Sequence, residues 1–167
     1  ATPRDSSPEK QRTYAKASLD QFGPALWQPY ESPKLGAADS DGKPVSLEDY
    51  KGKNVILVFY LARECLHCMN QLQDIQKKKS DWAKLDTTVL AVSPNEPAKN
   101  KKYLETLDLS AIRLLSDVKK ENARRFNAYD DFEDMELHST VLIDKKGRVH
   151  WARTGGDPFT DMKFLEK

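Results

Sequence analysis

Hydrophobic positions in this chain alternate between short continuous runs and helical repeats. The run at residues 55–60 is continuous, apolar and rich in β-branched and aromatic side chains, which is typical of a central strand buried on both faces. The predicted strands are 55–60, 88–92, 112–115, 140–143 and 148–152, and the predicted helices are 66–79, 97–107 and 118–126. This order predicts an α/β fold, with a central mixed sheet flanked by helices and a closing antiparallel hairpin.

The chain divides into two parts ahead of the first long strand. Ser7 followed by Pro8 is typical of a helix start, and Gly23 ends the amphipathic pattern. We therefore predict an N-terminal helical extension or linker at 1–29 and one main domain at 30–167. Because the chain does not begin with methionine, we expect it to be a domain of a larger protein.

Composition narrows the range of partners. Lys and Arg number 27 against 26 Asp and Glu, a formal net charge of +1, whereas a nucleic-acid binder usually has a basic excess. No apolar run approaches the roughly 18 residues of a membrane helix. We therefore expect no nucleic-acid partner and no membrane span within this chain. An extracytoplasmic (periplasmic) compartment is favoured over the cytoplasm.

The candidate chemistry lies at the junction between strand 55–60 and helix 66–79, where Cys65 and Cys68 form a CxxC motif. Unpaired N–H groups at a helix N-terminus favour negative charge, so a thiolate there is stabilised and reactive. The i, i+3 spacing brings both sulfurs to one side of the first turn. His67, between them, either favours the thiolate when protonated or simply faces solvent. This context predicts a thiol–disulfide oxidoreductase with a redox-active disulfide and a thioredoxin-like fold.

A metal centre is the alternative use of these cysteines. Zinc takes about four ligands, and the chain has two cysteines and three histidines: His67, His138 and His150. We therefore expect no metal and no other cofactor. A non-catalytic redox-sensing or metal-binding module stays open as an alternative function.

Several short segments resemble the alkyl hydroperoxide reductase/thiol-specific antioxidant (AhpC/TSA) family, which comprises peroxiredoxins and related redoxins. The resemblance covers roughly residues 30–153. It is carried by residues 42–47 (GKPVSL), 51–53 (KGK), 55–60, 91–94 (AVSP), 114–117 (LLSD) and 139–144 (STVLID), with Gly147. It implies a thioredoxin-like fold of the peroxiredoxin type and an antioxidant redox activity.

The resemblance also exposes departures from the peroxidase pattern Pro-x-x-x-Thr-x-x-Cys. In the family register Leu61 replaces the proline and Cys65 replaces the threonine, while Cys68 occupies the position of the peroxidatic cysteine. His138 stands where peroxiredoxins carry an arginine and thioredoxin-like relatives a cis-proline. These departures favour exchange with a protein or small-thiol redox partner. Disulfide exchange needs only a thiolate, a second thiol and access.

The roles predicted for the two cysteines depend on whether the protein catalyses disulfide exchange or peroxide reduction. For exchange, we predict that Cys65 attacks and Cys68 resolves. The alternative is an atypical peroxidase with Cys68 as peroxidatic cysteine and Cys65 resolving. The resemblance places His138 near the pair, where it either tunes a thiolate and shuttles a proton or is a partly buried strand-end histidine.

Overall fold

A mixed eight-stranded sheet forms the centre of this computed structural model, which describes residues 28–61 and 65–167. The strands are β1 (Tyr30–Glu31), β2 (Gly36–Ala38), β3 (Pro44–Ser46), β4 (Asn54–Phe59), β5 (Thr87–Ser93), β6 (Ile112–Ser116), β7 (Tyr129–Asp130), β8 (Met135–Glu136), β9 (His138–Ile143) and β10 (Arg148–Gly155). The order in the sheet is β1-β10-β9-β4-β5-β6-β2-β3, and β7 and β8 pair separately. The predicted helix in the N-terminal extension lies outside the described residues.

The helices connect and cover these strands. They are α1 (Leu66–Lys77), α2 (Lys79–Lys84), α3 (Pro97–Thr106), α4 (Glu121–Arg125) and α5 (Met162–Leu165), with a 3₁₀ turn at Leu47–Tyr50. Strands β4, β5 and β6 are parallel, and β9 is antiparallel to both β4 and β10. The predicted α/β mixed sheet flanked by helices is therefore confirmed. Among the described residues, no helix combines the length and apolarity needed to cross a bilayer.

Some predicted boundaries are wrong for local reasons. The helix that begins at Leu66 ends at Lys77 rather than 79, and a separate short helix follows. Trp82 on that short helix donates its indole N–H to the Ile75 carbonyl at 2.8 Å, which fixes the bend. The helix predicted from 118 begins only at Glu121, because Lys120 adopts a left-handed conformation with φ of 59°.

The core lies on both faces of the sheet, since successive side chains of a strand point in opposite directions. On β4, Leu57 belongs to one buried cluster and Val58 to the other. The second cluster also contains Cys68, Leu72 and Ile75 of α1. Burying a side chain such as Leu72 contributes about 1.5–3 kcal/mol, so packing of α1 on the sheet holds Cys68 in the core.

Strand register decides where His138 lies. Phe59 at the end of β4 pairs with Ser139 of β9. His138, the first residue of β9, therefore lies level with the point where the chain leaves β4 toward α1. The same register brings His138 opposite Gly155 of β10. The fold thus places one histidine beside the start of the CxxC helix.

Candidate active site

The first turn of α1 carries both cysteines. Cys65 is the N-cap residue with an extended backbone, and its carbonyl accepts the N–H of Met69 at 3.1 Å. Its Sγ also accepts the backbone N–H of Cys68 at 3.3 Å. A sulfur in this position caps an otherwise unpaired donor, and the helix dipole favours negative charge on it.

The two thiols differ in their access to solvent. Cys65 is partly exposed, whereas Cys68 has 0% of its surface exposed. Both are free, and their Sγ atoms lie within 4.8 Å of one another. The predicted placement of both sulfurs on one side of the turn is therefore confirmed, and a small movement suffices for them to bond.

His138 faces this pair from β9. Its Nε2 lies 3.0 Å from Cys68 Sγ and 3.8 Å from Cys65 Sγ. The proximity predicted from the family register is confirmed. His138 is itself buried, with 6% of its surface exposed.

The other ring nitrogen of His138 determines which tautomer is present. Nδ1 lies 2.8 Å from the carbonyl oxygen of Gly156, and a carbonyl oxygen only accepts hydrogen bonds. Nδ1 therefore carries the proton, and in the neutral ring Nε2 presents a lone pair to the cysteine sulfurs. Burial lowers the pKa of His138, although the hydrogen bond to Gly156 partly raises it. At neutral pH the ring is therefore neutral and has a free lone pair at Nε2, while the lowered pKa makes that nitrogen a weaker base than an exposed imidazole.

Cys68 needs such an acceptor. Burial, and secondarily the neighbouring Cys65 side chain, raise the pKa of the Cys68 thiol. An isolated thiol in this environment keeps its proton and is a poor nucleophile, since the thiolate is the reactive form. A neutral imidazole nitrogen 3.0 Å away offers the proton a destination.

The remaining histidines lie outside this cluster. His67 is exposed on the first turn of α1, and its catalytic role stays a prediction. His150 lies 2.9 Å from a carboxylate oxygen of Asp144 on the β9–β10 hairpin. The structure thus brings together Cys65, Cys68 and His138, three of the four residues that the sequence singles out.

Sequence reasoning missed Gln71, which ties the site together. This buried side chain, three residues after Cys68, donates to the Thr140 hydroxyl at 3.2 Å and to the Phe159 carbonyl at 2.9 Å. It thereby links α1 to β9 and to the segment before α5. The sequence signal for Gln71 was weak: it is one of two amides, with Gln76, on the buried face of α1.

Comparison with known proteins places this site in a family. A sequence model described as the AhpC/TSA family matches residues 30–152. The chain belongs to the AhpC/TSA family. Peroxiredoxin Bcp of Bacillus subtilis is 31% identical over 126 residues, covering 71% of this chain and 79% of that protein. A chloroplastic peroxiredoxin Q of Triticum aestivum is 31% identical over 120 residues, covering 71% of this chain and 55% of that protein.

Solved structures agree on the fold of this AhpC/TSA chain. Peroxidoxin BcpB of Mycobacterium tuberculosis superposes with a TM-score of 0.72 at 17% identity, covering 84% of this chain and 94% of that one. Peroxiredoxin Q of Xanthomonas campestris superposes with a TM-score of 0.66 at 20% identity, covering 72% of this chain and 79% of that one. The thioredoxin-like fold of the peroxiredoxin type is therefore confirmed. The relatives support an oxidoreductase and favour the peroxidase alternative over the exchange reaction that the sequence placed first.

Proposed function

We propose that this AhpC/TSA domain is a thiol peroxidase in which Cys68 reduces a hydroperoxide and Cys65 resolves the oxidised product. One observation carries the proposal. The unprotonated Nε2 of His138 lies 3.0 Å from Cys68 Sγ, and its tautomer is set by the Gly156 carbonyl. The relatives named peroxiredoxins support the same choice of reaction.

The oxidative half-reaction uses three groups of this chain. His138 Nε2 takes the proton of the Cys68 thiol as the sulfur attacks one oxygen of the hydroperoxide, and the imidazolium then gives that proton to the leaving oxygen. The O–O bond breaks, the leaving alkoxide or hydroxide takes up a proton to become an alcohol or water, and Cys68 becomes a sulfenic acid. Cys65 then gives up its proton and its thiolate attacks the Cys68 sulfur; the hydroxide that leaves takes up that proton, so the disulfide and one water form.

The reductive half-reaction requires a thiol partner. Because Cys68 has no exposed surface and Cys65 is partly exposed, the partner's thiolate attacks the Cys65 sulfur. Cys68 leaves as a thiolate, and a second thiol releases the partner as a disulfide. Either a protein dithiol or a small thiol is suited to this step.

Thiol–disulfide exchange without peroxide is the second candidate. It is favoured by the residues that replace the family's supporting groups, since Cys65 stands in place of the threonine and His138 in place of the arginine. The position of the partly exposed Cys65 at the helix N-terminus also suits an attacking thiolate. In this reaction Cys65 attacks and Cys68 resolves.

Trapping of the sulfenic acid separates the two candidates. Reduced Cys65→Ser and Cys68→Ser proteins are each mixed with one equivalent of hydrogen peroxide and dimedone, and the adducts are mapped by mass spectrometry. The proposal expects one adduct on Cys68 in the Cys65→Ser protein and little on Cys65 in the Cys68→Ser protein. An adduct only on Cys65, or none in either protein while the wild type still reduces insulin disulfides, favours exchange.

A further inference from the structure

The reduced site is also a preassembled set of three soft donors. The Sγ atoms of Cys65 and Cys68 and a ring nitrogen of His138 all lie within 4.8 Å of one another. Thiolate and imidazole are the donors that select zinc and monovalent copper. We propose that the reduced domain binds one thiophilic d¹⁰ ion, Cu⁺ or Zn²⁺, through these three atoms. This binding goes beyond the peroxidase proposal and does not depend on which cysteine attacks.

The surroundings of His138 support ligation. A metal-ligating histidine almost always donates its second ring N–H to a carbonyl or carboxylate, which orients the ring and frees the other nitrogen. His138 does this, since Nδ1 lies 2.8 Å from the Gly156 carbonyl oxygen and Nε2 faces the sulfurs. The structure therefore supplies the ligand that the CxxC motif alone lacks.

The donor count distinguishes the two ions. Within residues 28–61 and 65–167, the cluster offers three donors and no fourth. Monovalent copper is satisfied by a few soft donors, while zinc requires a fourth ligand such as water. Because Cys65 is partly exposed and Cys68 is fully buried, an added water approaches from the Cys65 side.

Metal binding excludes disulfide formation, because both use the same two sulfurs. Ligation of both thiols displaces two protons, and oxidation of the pair to a disulfide removes both thiolate donors. A bound ion consequently protects the cysteines from peroxide until it is removed. The prediction is one ion per reduced chain and none per oxidised chain.

Competition titrations test this inference under anaerobic conditions. The reduced protein is titrated with Zn²⁺ against a chromophoric chelator and, separately, with Cu⁺ held by bicinchoninate. We expect one equivalent of at least one ion to transfer, and which ion transfers identifies the metal. Loss of a group that only hydrogen-bonds to a ligand typically lowers metal affinity about 10–100-fold. Because Cys65→Ser and His138→Ala each remove a ligand itself, each should lower the affinity by more than about 100-fold.

Two controls keep the test decisive. His150→Asn alters a histidine bound to Asp144, away from the donors, and should leave affinity unchanged. Cobalt substitution should give a thiolate-to-cobalt charge-transfer band that decreases in Cys65→Ser, whether or not the buried Cys68 tolerates replacement. The inference is overturned if neither ion binds the reduced protein more tightly than the disulfide form. Equal losses in His150→Asn and His138→Ala would also overturn it.

Discussion

Replacement of His138 by glutamine tests the base assigned to Cys68. Glutamine retains a hydrogen-bonding side chain but cannot accept the thiol proton at neutral pH. A thiol with the usual pKa near 8.5 is about 3% ionised at pH 7, and each further unit by which the pKa rises lowers that fraction about tenfold. Burial raises the pKa of Cys68, so its reactivity depends on the imidazole 3.0 Å from its sulfur.

The expected magnitude follows from general-base catalysis. A positioned base contributes about 10²–10⁴-fold, which corresponds to about 2.7–5.4 kcal/mol of transition-state stabilisation at 1.36 kcal/mol per tenfold. His138→Gln should therefore slow oxidation of the reduced protein by hydrogen peroxide at pH 7 by about 10²–10⁴-fold. Rapid quench-flow mixing, with the remaining thiols counted after an acid quench, measures the second-order rate constant directly.

His150→Gln is the matched control, because His150 is an exposed histidine that lies 2.9 Å from an Asp144 carboxylate oxygen, outside the cysteine cluster. It should change the rate constant by less than about threefold. Thermal unfolding of each variant verifies that the fold is retained. A His138→Gln rate within threefold of the wild type, or equal losses in the two variants, would refute the assignment of His138 as base.

Three further predictions concern the scaffold and the reductive step. Gln71→Ala leaves the Thr140 hydroxyl and the Phe159 carbonyl without the amide that donates to them. The free energy of unfolding should fall by about 1–3 kcal/mol. An unchanged midpoint of urea unfolding would contradict this. Arg113 donates a 2.8 Å hydrogen bond to Asp39 and holds the pKa of that carboxyl below its usual value. The interaction therefore stabilises the folded protein fully above about pH 4, the pKa of an unfolded aspartate. The stabilisation is lost as the pH falls through the folded-state pKa. Asp39→Asn should thus be less stable than the wild type at pH 7 by about 1.5–3 kcal/mol, with a difference that shrinks below pH 4; a constant difference between pH 7 and pH 3 would disprove the linkage. Incubated with oxidised glutathione, Cys68→Ser should accumulate a mixed disulfide at Cys65 with release of one reduced glutathione, read by intact mass, whereas Cys65→Ser should not. The opposite pattern would reverse the order of attack in the reductive step.

The sequence predicted the centre of the sheet and the CxxC junction because both depend on local signals. The apolar run at 55–60 is long enough to mark β4, and Cys65 follows it at a helix start. The position of His138 was predictable only through the family register, since strand pairing joins residues that are distant along the chain. Its pairing level with the end of β4 confirmed that expectation.

The remaining features depend on tertiary contacts that the sequence does not display. The carbonyl of Gly156 sets the tautomer of His138 from 18 residues away, and nothing in the local pattern marks that oxygen. Gln71 gave only a weak signal as an amide on a buried helix face. The short strands β2 and β3 have too few residues for periodicity to predict.

The assignment of Cys68 as the peroxide-reducing thiol is best measured by the rate at which hydrogen peroxide converts the reduced thiols into the Cys65–Cys68 disulfide. The measurement compares the folded protein at pH 7 with the same chain unfolded in urea, so that the unfolded thiols report their intrinsic reactivity. We expect a second-order rate constant at least about 100-fold higher in the folded protein, because a positioned general base contributes that much, with one disulfide formed per peroxide consumed. A rate constant in the folded protein equal to or below that of the unfolded chain would rule out peroxide reduction by this site and leave disulfide exchange as the function of this pair.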